Sequence, residues 1–192
     1  MTSASPPIRT WVVLFRKLSV GLPLLALLLA CNTNSRNENA GAEEDDPAAR
    51  TVIYLTRHAE KGSGPDPDLL PEGTAHAEAL AAKLRTERIR AVYSTDTKRT
   101  QQTAAPTAAA AGVSVTSYDA GDPTAFARQL RENHRGQSVL VVGHSNTIPD
   151  LVNALIGERE YGDLSEEEFG DLFVVRIPGG RVGKARVRKS TY

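Results

Sequence analysis

A chain of 192 residues holds one ordinary domain with appendages and too little for two. Its 40% hydrophobic residues exclude a wholly disordered polymer, and 23 Lys+Arg against 23 Asp+Glu leave no basic field to draw it onto nucleic acid. One cysteine, Cys31, excludes an internal disulfide and any CxxC metal or redox site.

The charge balance hides an asymmetry at the start of the chain. Arg9, Arg16 and Lys17 are the charged residues before Cys31, and they precede an apolar stretch, Leu18 to Ala30, interrupted by Gly21 and Pro23. That stretch is too short to cross roughly 30 Å of hydrocarbon as a helix. A basic segment followed by a short apolar one is the layout of an export signal over residues 1–30. It ends in Leu28-Leu29-Ala30-Cys31, which resembles a bacterial lipobox and implies a lipid on Cys31. The expectation is an exported bacterial lipoprotein, anchored to a membrane and facing the periplasm or the cell surface. Residues 31–50 are polar and acidic, with Glu38, Glu43, Glu44, Asp45 and Asp46, and read as a flexible tether. The folded unit then spans 51–192.

Thr51 to Leu55 (TVIYL) is a short β-branched run of the kind that forms a strand buried on both faces. Glu72 to Arg88 has Ala77, Leu80, Ala81 and Leu84 at helical spacing. Ala91 to Ser94 is the next strand, and Lys98 to Ala111 an Ala-rich helix closed by Gly112 that Pro106 should kink or split. Val113 to Tyr118 (strand), Pro123 to Asn133 (helix), Val139 to Gly143 (strand) and Ile148 to Ile156 (helix, ended by Gly157) continue the alternation. Leu172 to Ile177 and Arg181 to Val187 flank Pro178-Gly179-Gly180, a hairpin signature. The predicted class is α/β: a three-layer αβα arrangement with a mostly parallel sheet and a C-terminal antiparallel hairpin.

Ligands of such sheets sit beyond the carboxyl ends of the strands. Three strands end in reactive side chains: Arg57 and His58 at the first, Ser94 and Thr95 leading to Arg99 at the second, and His144 and Ser145 at the fourth. Two guanidinium forks suit a dianionic phosphoryl group. A neutral imidazole beside them can attack its phosphorus, and the arginines help hold it unprotonated.

These residues carry a resemblance. Thr56-Arg57-His58-Ala59-Glu60-Lys61 resembles the Arg-His signature of the histidine phosphatase superfamily, which has the phosphoglycerate mutase-like fold. The segment from Ser94 through Arg99 to Thr103-Ala104 is similar to that family's Ser-x-x-x-x-Arg-x-x-x-Thr-Ala pattern, and Gly143-His144-Ser145 to its second-histidine motif. Leu70-Pro71-Glu72-Gly73 with Ala79-Leu80-Ala81 echoes its first helix, and the short length is similar to that of the bacterial phosphohistidine phosphatases. The resemblance implies a metal-independent, cofactor-free phosphatase acting on small phosphomonoesters, in which His58 becomes phosphohistidine and water then discharges it. Arg57, Arg99, His144 and Ser145 would hold the phosphate. It also implies an acid after the third strand, where Asp119 stands, with Asp122 and Glu60 as rivals and a turn or N-cap role as the alternative for Asp-Ala-Gly-Asp-Pro. Two other functions stay open: a non-catalytic phospho-ligand or anion-binding lipoprotein on the same fold, and a phosphoglycerate mutase-type phosphotransferase.

The remaining conspicuous residues have ordinary expectations. His76 and His134 read as surface histidines, and no HExxH pair supports a zinc hydrolase. Lys61 either guides substrate anions or pairs within the loop Gly62 to Pro71. Lys184, Arg186 and Arg188 alternate with Ala185 and Val187, as in a charged edge strand that resists pairing with another chain.

Overall fold

The computed structural model describes residues 50–179 and 184–192. Cys31, the signal segment and the tether lie outside the described residues.

The described chain runs β1 (Thr51–Arg57), α1 (Pro71–Leu84), β2 (Ile89–Ser94), α2 (Lys98–Ala111), β3 (Val115–Ser117), α3 (Pro123–Asn133), β4 (Ser138–Gly143), α4 (Thr147–Ile156), β5 (Asp171–Ile177) and β6 (Arg186–Thr191). The strands form one six-stranded sheet in the order β3-β2-β4-β1-β5-β6. β3, β2, β4 and β1 are parallel, β5 is antiparallel to β1, and β6 is antiparallel to β5.

Alternation along the central strands builds two cores. Ile53, Leu55, Val139, Val141, Phe173 and Val175 face α3 and α4, where Phe126, Leu130, Ile148, Leu151 and Leu155 pack on them. Tyr54, Leu140, Val142, Leu172 and Val174 point to the other face, against Leu80 and Leu84 of α1 and Ala104 and Ala108 of α2. The result is the expected three-layer αβα sandwich, with a mostly parallel sheet and a C-terminal antiparallel hairpin.

Several boundaries differ from the sequence expectation for physical reasons. α1 stops at Leu84, four residues early, and the chain turns back through Arg88, which adopts a left-handed φ of 51°. α2 is one continuous helix despite Pro106. Thr103, Ala104, Thr107 and Ala108 are buried on either side of the proline, so packing onto the sheet holds both halves in line. The last strand begins at Arg186 rather than Arg181 and runs to Thr191, and residues 181–183 of the expected strand lie outside the described residues.

His134 is not a free surface histidine. Its Nε2 lies 2.8 Å from Tyr93 Oη, its Nδ1 3.0 Å from Gln137 Oε1, and its carbonyl accepts a hydrogen bond from Thr51 Oγ1 at 3.0 Å. It ties the end of α3 to the start of β1. His76 is half-exposed and sits 2.9 Å from Glu60, with its ring edge-on to Tyr192.

Gly73, in the first turn of α1, lies where the loop after His58 crosses the helix. A Cβ there would stand 2.1 Å from the Glu60 carbonyl oxygen. Gly73→Ala must therefore push the loop that follows His58 away from α1. We expect a loss of about 1–3 kcal/mol in chemical denaturation, the usual cost of overpacking; unchanged stability would show that this contact is not held in solution.

Candidate active site

β1, β2 and β4 end level with one another, because Arg57 pairs with Gly143 and Ser94 with Val142 across the parallel ladders. The residues that leave these strands must therefore meet on one rim. The His58 N–H donates to the Gly143 carbonyl at 2.9 Å, which continues the β1–β4 ladder and sets the first histidine beside the second. The ring centroids of His58 and His144 lie 5.6 Å apart, edge to face at 69°. Arg99, in the first turn of α2, donates from Nη2 toward His144 Nδ1 at 3.4 Å.

Local hydrogen bonds fix which nitrogen of each ring is free. The Ala59 carbonyl lies 2.7 Å from His58 Nδ1, so that nitrogen carries the proton and Nε2 keeps its lone pair. For His144 the order is reversed. Nδ1 accepts from Arg99, and Nε2–H donates to Thr95 Oγ1 at 2.9 Å, which donates onward to Thr100 Oγ1 at 3.0 Å.

Burial, then the positive charges of Arg57 and Arg99 and the neighbouring His144, pull the His58 pKa down to about 4, against the opposing pull of the Ala59 carbonyl. His144 is also lowered to about 4, by burial first and then by Arg99 and Arg57, with Glu166 acting the other way. Both imidazoles are neutral across the physiological range. A neutral ring with an unprotonated Nε2 is the form that attacks an electrophile.

The polar loop between β1 and α1 anchors Arg99. No side chain of α2 itself caps the helix; Asp66 does so from that loop, accepting from Lys98 N–H at 3.0 Å and lying 3.7 Å from Arg99 Nη1. Gln102 accepts from Leu69 N–H at 2.7 Å and donates to Asp68 at 2.8 Å, which fastens the same loop along α2. Thr103 completes the joint. Its hydroxyl donates to the Arg99 carbonyl at 2.7 Å and accepts from Ala59 N–H at 3.0 Å. The Arg-x-x-x-Thr spacing thus locks the helix bearing Arg99 onto the residue next to His58.

Arg57 is 4% exposed and held by the loop after α4. Nη1 donates to the Ser165 carbonyl at 2.7 Å, Nη2 to Glu166 Oε2 at 2.8 Å, and the guanidinium carbon lies 4.5 Å from the Phe169 ring centre. Glu166 also accepts from Ser145 Oγ at 2.5 Å. These two partners depress the Glu166 carboxyl pKa, the Ser145 hydrogen bond first and the Arg57 charge next. The Nε groups of both Arg57 and Arg99 are buried and have no hydrogen-bond partner among the described residues.

The structure therefore brings Arg57, His58, Arg99 and His144 into one cup, with Ser145 at its edge, and adds Glu166 and Phe169. Sequence reasoning missed these two because the segment between α4 and β5 has no periodicity. One signal could have found them: a final hairpin antiparallel to β1 starts beside the end of β1, as Thr56 pairing with Leu172 shows, so the residues before it must overlie Arg57.

The carboxylates expected as proton donors have other partners. Asp119 is exposed and accepts from Gly121 N–H at 2.8 Å; Asp122 caps α3 through Ala125 N–H at 2.9 Å. Both show the turn and N-cap geometry that Asp-Ala-Gly-Asp-Pro suggests. Glu60 faces His76, and the backbone of Lys61 forms an isolated antiparallel bridge with Leu69 in the same loop. Among the described residues no group of three or more His, Cys, Asp or Glu side chains is placed to hold a metal ion.

A search of curated protein sequences gives no match. The family model of the histidine phosphatase superfamily, branch 1, matches residues 53–120. Among solved structures, the putative phosphohistidine phosphatase SixA of Nakamurella multipartitia is 26% identical, with 74% of this chain and 96% of that one covered at a TM-score of 0.56. A mycobacterial glucosyl-3-phosphoglycerate phosphatase shares the fold at 14% identity, covering 74% of this chain and 98% of that one at a TM-score of 0.59. The protein histidine phosphatase SixA complexed with tungstate does so at 17% identity, covering 73% and 96%, with a TM-score of 0.58. The matched segment contains both His58 and Arg99, and the likeness of fold extends past it to the strand that delivers His144, so the chain is similar to the histidine phosphatase superfamily in sequence over residues 53–120 and in fold beyond them.

Proposed function

We propose that this chain is a phosphatase that hydrolyses small phosphomonoesters through a phosphohistidine on His58. The observation that carries the proposal is a neutral His58, its Nε2 lone pair free, set 5.6 Å from the His144 ring and in the field of the Arg57 and Arg99 guanidiniums. A phosphoryl dianion supplies acceptors for those guanidiniums and an electrophilic phosphorus for that lone pair.

In the first step the Nε2 lone pair forms a bond to phosphorus while the bond from phosphorus to the ester oxygen breaks, and the leaving alkoxide takes a proton from water. In the second step water attacks the phosphoimidazole, the P–N bond breaks, and inorganic phosphate leaves with His58 restored. Arg57 and Arg99 stabilise the equatorial oxygens in both steps, with His144 accepting from Arg99 and so holding that guanidinium at the phosphorus, where positioning and electrostatics supply most of the rate. The tight joint made by Thr103 matters here because misplacement by about 1 Å is enough to lose a hundredfold.

Tungstate bound to SixA, and the mycobacterial neighbour being a glucosyl-3-phosphoglycerate phosphatase, agree with an oxyanion cup on this fold. Hydrolysis is favoured over mutase chemistry because the small folded unit of residues 51–192 leaves little room for the insertions that would enclose and retain a phosphorylated intermediate. The sequence before the domain supports a further part of the proposal: residues 1–30 as an export signal, Cys31 as the lipidated residue and residues 31–50 as a tether to the membrane.

The full-length protein should hydrolyse p-nitrophenyl phosphate in EDTA, and His58→Ala should abolish turnover. With His58 already neutral above about pH 4, protonation of the nucleophile lowers kcat/KM only as the pH falls toward 4. A limb near the ordinary histidine pKa of about 6.5, tracking the enzyme rather than the substrate, contradicts a nucleophile kept neutral by burial and two arginines. Phosphate binding without turnover would favour the anion-binding alternative. Cys31→Ser should move the activity from the membrane to the soluble fraction.

Glu166 gives a prediction of definite sign. Its carboxylate holds the same Arg57 and Ser145 donors that a phosphoryl dianion needs, so substrate must displace it. The side chain is 74% exposed, which keeps the pair in the range of weak surface ion pairs. Glu166→Gln should lower the inhibition constant of vanadate roughly two- to fivefold. A raised constant would mean that Glu166 positions Arg57 for the phosphate instead of competing with it.

A further inference from the structure

The opposite end of the sheet carries a second basic concavity, independent of the cup. A cavity of about 370 Å3 between the end of α1, the start of β2 and the last turns of α2 is lined by Arg85, Arg88, Arg90, Leu84, Ile89 and Thr107. The three arginines are exposed, and among the described residues none of their guanidiniums has an ion-pair or hydrogen-bond partner. Glu87, the acid set among them, is committed elsewhere: it accepts from Tyr54 Oη at 2.5 Å. Thr107 is 2% exposed, and its hydroxyl has no partner among the described residues. Leu84 and Ile89 are buried beside these groups and give the cavity an apolar side.

We propose that this cavity binds a phosphate-bearing ligand with an apolar portion next to the phosphate. Guanidinium forks match phosphate oxygens in geometry as well as charge, and three of them without counter-ions leave a field that an anion neutralises. The apolar side receives the carbon skeleton attached to the phosphate. The chemistry has two sources: a soluble phosphoester such as glycerol phosphate, or the headgroup of an anionic phospholipid.

The register of the sheet bears on the second source. Val52 and Ile89 both pair with Ser138. The cavity therefore opens on the rim where the chain enters β1, two strand spacings or about 10 Å away. A tether preceding Thr51 would bring this rim to the bilayer. The cup lies at the far ends of the strands, roughly 20 Å off.

The test uses the full-length His58→Ala protein in non-ionic detergent, so that no phosphoester is turned over, read by native mass spectrometry. One arm adds glycerol phosphate and the other dioleoylphosphatidylglycerol, with dioleoylphosphatidylcholine as the zwitterionic control. We expect an adduct beyond the one at the cup, with affinity reduced at least about tenfold when Arg85, Arg88 and Arg90 are all changed to Gln. The same triple change in the protein with His58 intact should leave p-nitrophenyl phosphate turnover unaltered. An adduct with phosphatidylglycerol alone assigns a lipid headgroup; one with glycerol phosphate assigns a soluble ligand. Equal adducts with and without the arginines, or none in either arm, overturn the proposal and leave the arginines as counter-charges for the C-terminal ends of α1 and α2. If the triple variant melts early, Arg88→Gln and Arg90→Gln singly carry the same comparison.

Discussion

The structure depends on keeping two imidazoles uncharged between two guanidiniums. Burial alone disfavours imidazolium, and Arg57 and Arg99 add repulsion, so His58 and His144 are held near pKa 4 without any carboxylate being needed to orient them. Glu166 is the acid whose field reaches His144, and its own charge is already engaged by Arg57 and Ser145. The same two guanidiniums that keep the rings uncharged attract a compact dianion to the cup.

Much of the surrounding fold serves that constraint. The β1–β4 register brings His58 to the Gly143 carbonyl and hence to His144. Gly143 itself leaves no space for a side chain, since a Cβ would fall 2.7 Å from Tyr118 Oη and 2.8 Å from Thr147 Oγ1. The Asp66 cap, the Gln102 clasp and the Thr103 joint then fix α2, so that Arg99 approaches at a set angle. The exchange runs both ways: Asp66 of the loop satisfies an open N–H at the start of α2, while Gln102 and Thr103 of the helix satisfy the Leu69 and Ala59 N–H groups of the loop.

The sequence made the framework legible where burial is two-sided. TVIYL and VLVVG admit few other fates, and the reactive side chains that follow them had to share a rim once the strands were parallel. α2 and α3 begin and end at the residues that the sequence predicts, Lys98 and Ala111 for one, Pro123 and Asn133 for the other. Tertiary packing hid the rest. Nothing local announces that Arg88 would take a left-handed backbone or that Pro106 would sit inside a continuous helix. Asp119 reads equally well as an acid and as a turn residue, and its Gly121 contact has the turn geometry. Glu166 and Phe169 lie in a segment whose composition says only that it is polar; their place over Arg57 follows from the antiparallel return of β5.

A rapid-quench experiment under alkaline conditions tests the central claim most directly. Full-length protein mixed with a 32P-labelled phosphomonoester and stopped within the first turnover should carry label that is stable in base, labile in acid and located by peptide mapping on His58. Acid-stable label, label on a peptide lacking His58, or single-turnover hydrolysis with no covalent label at any time point would contradict the account.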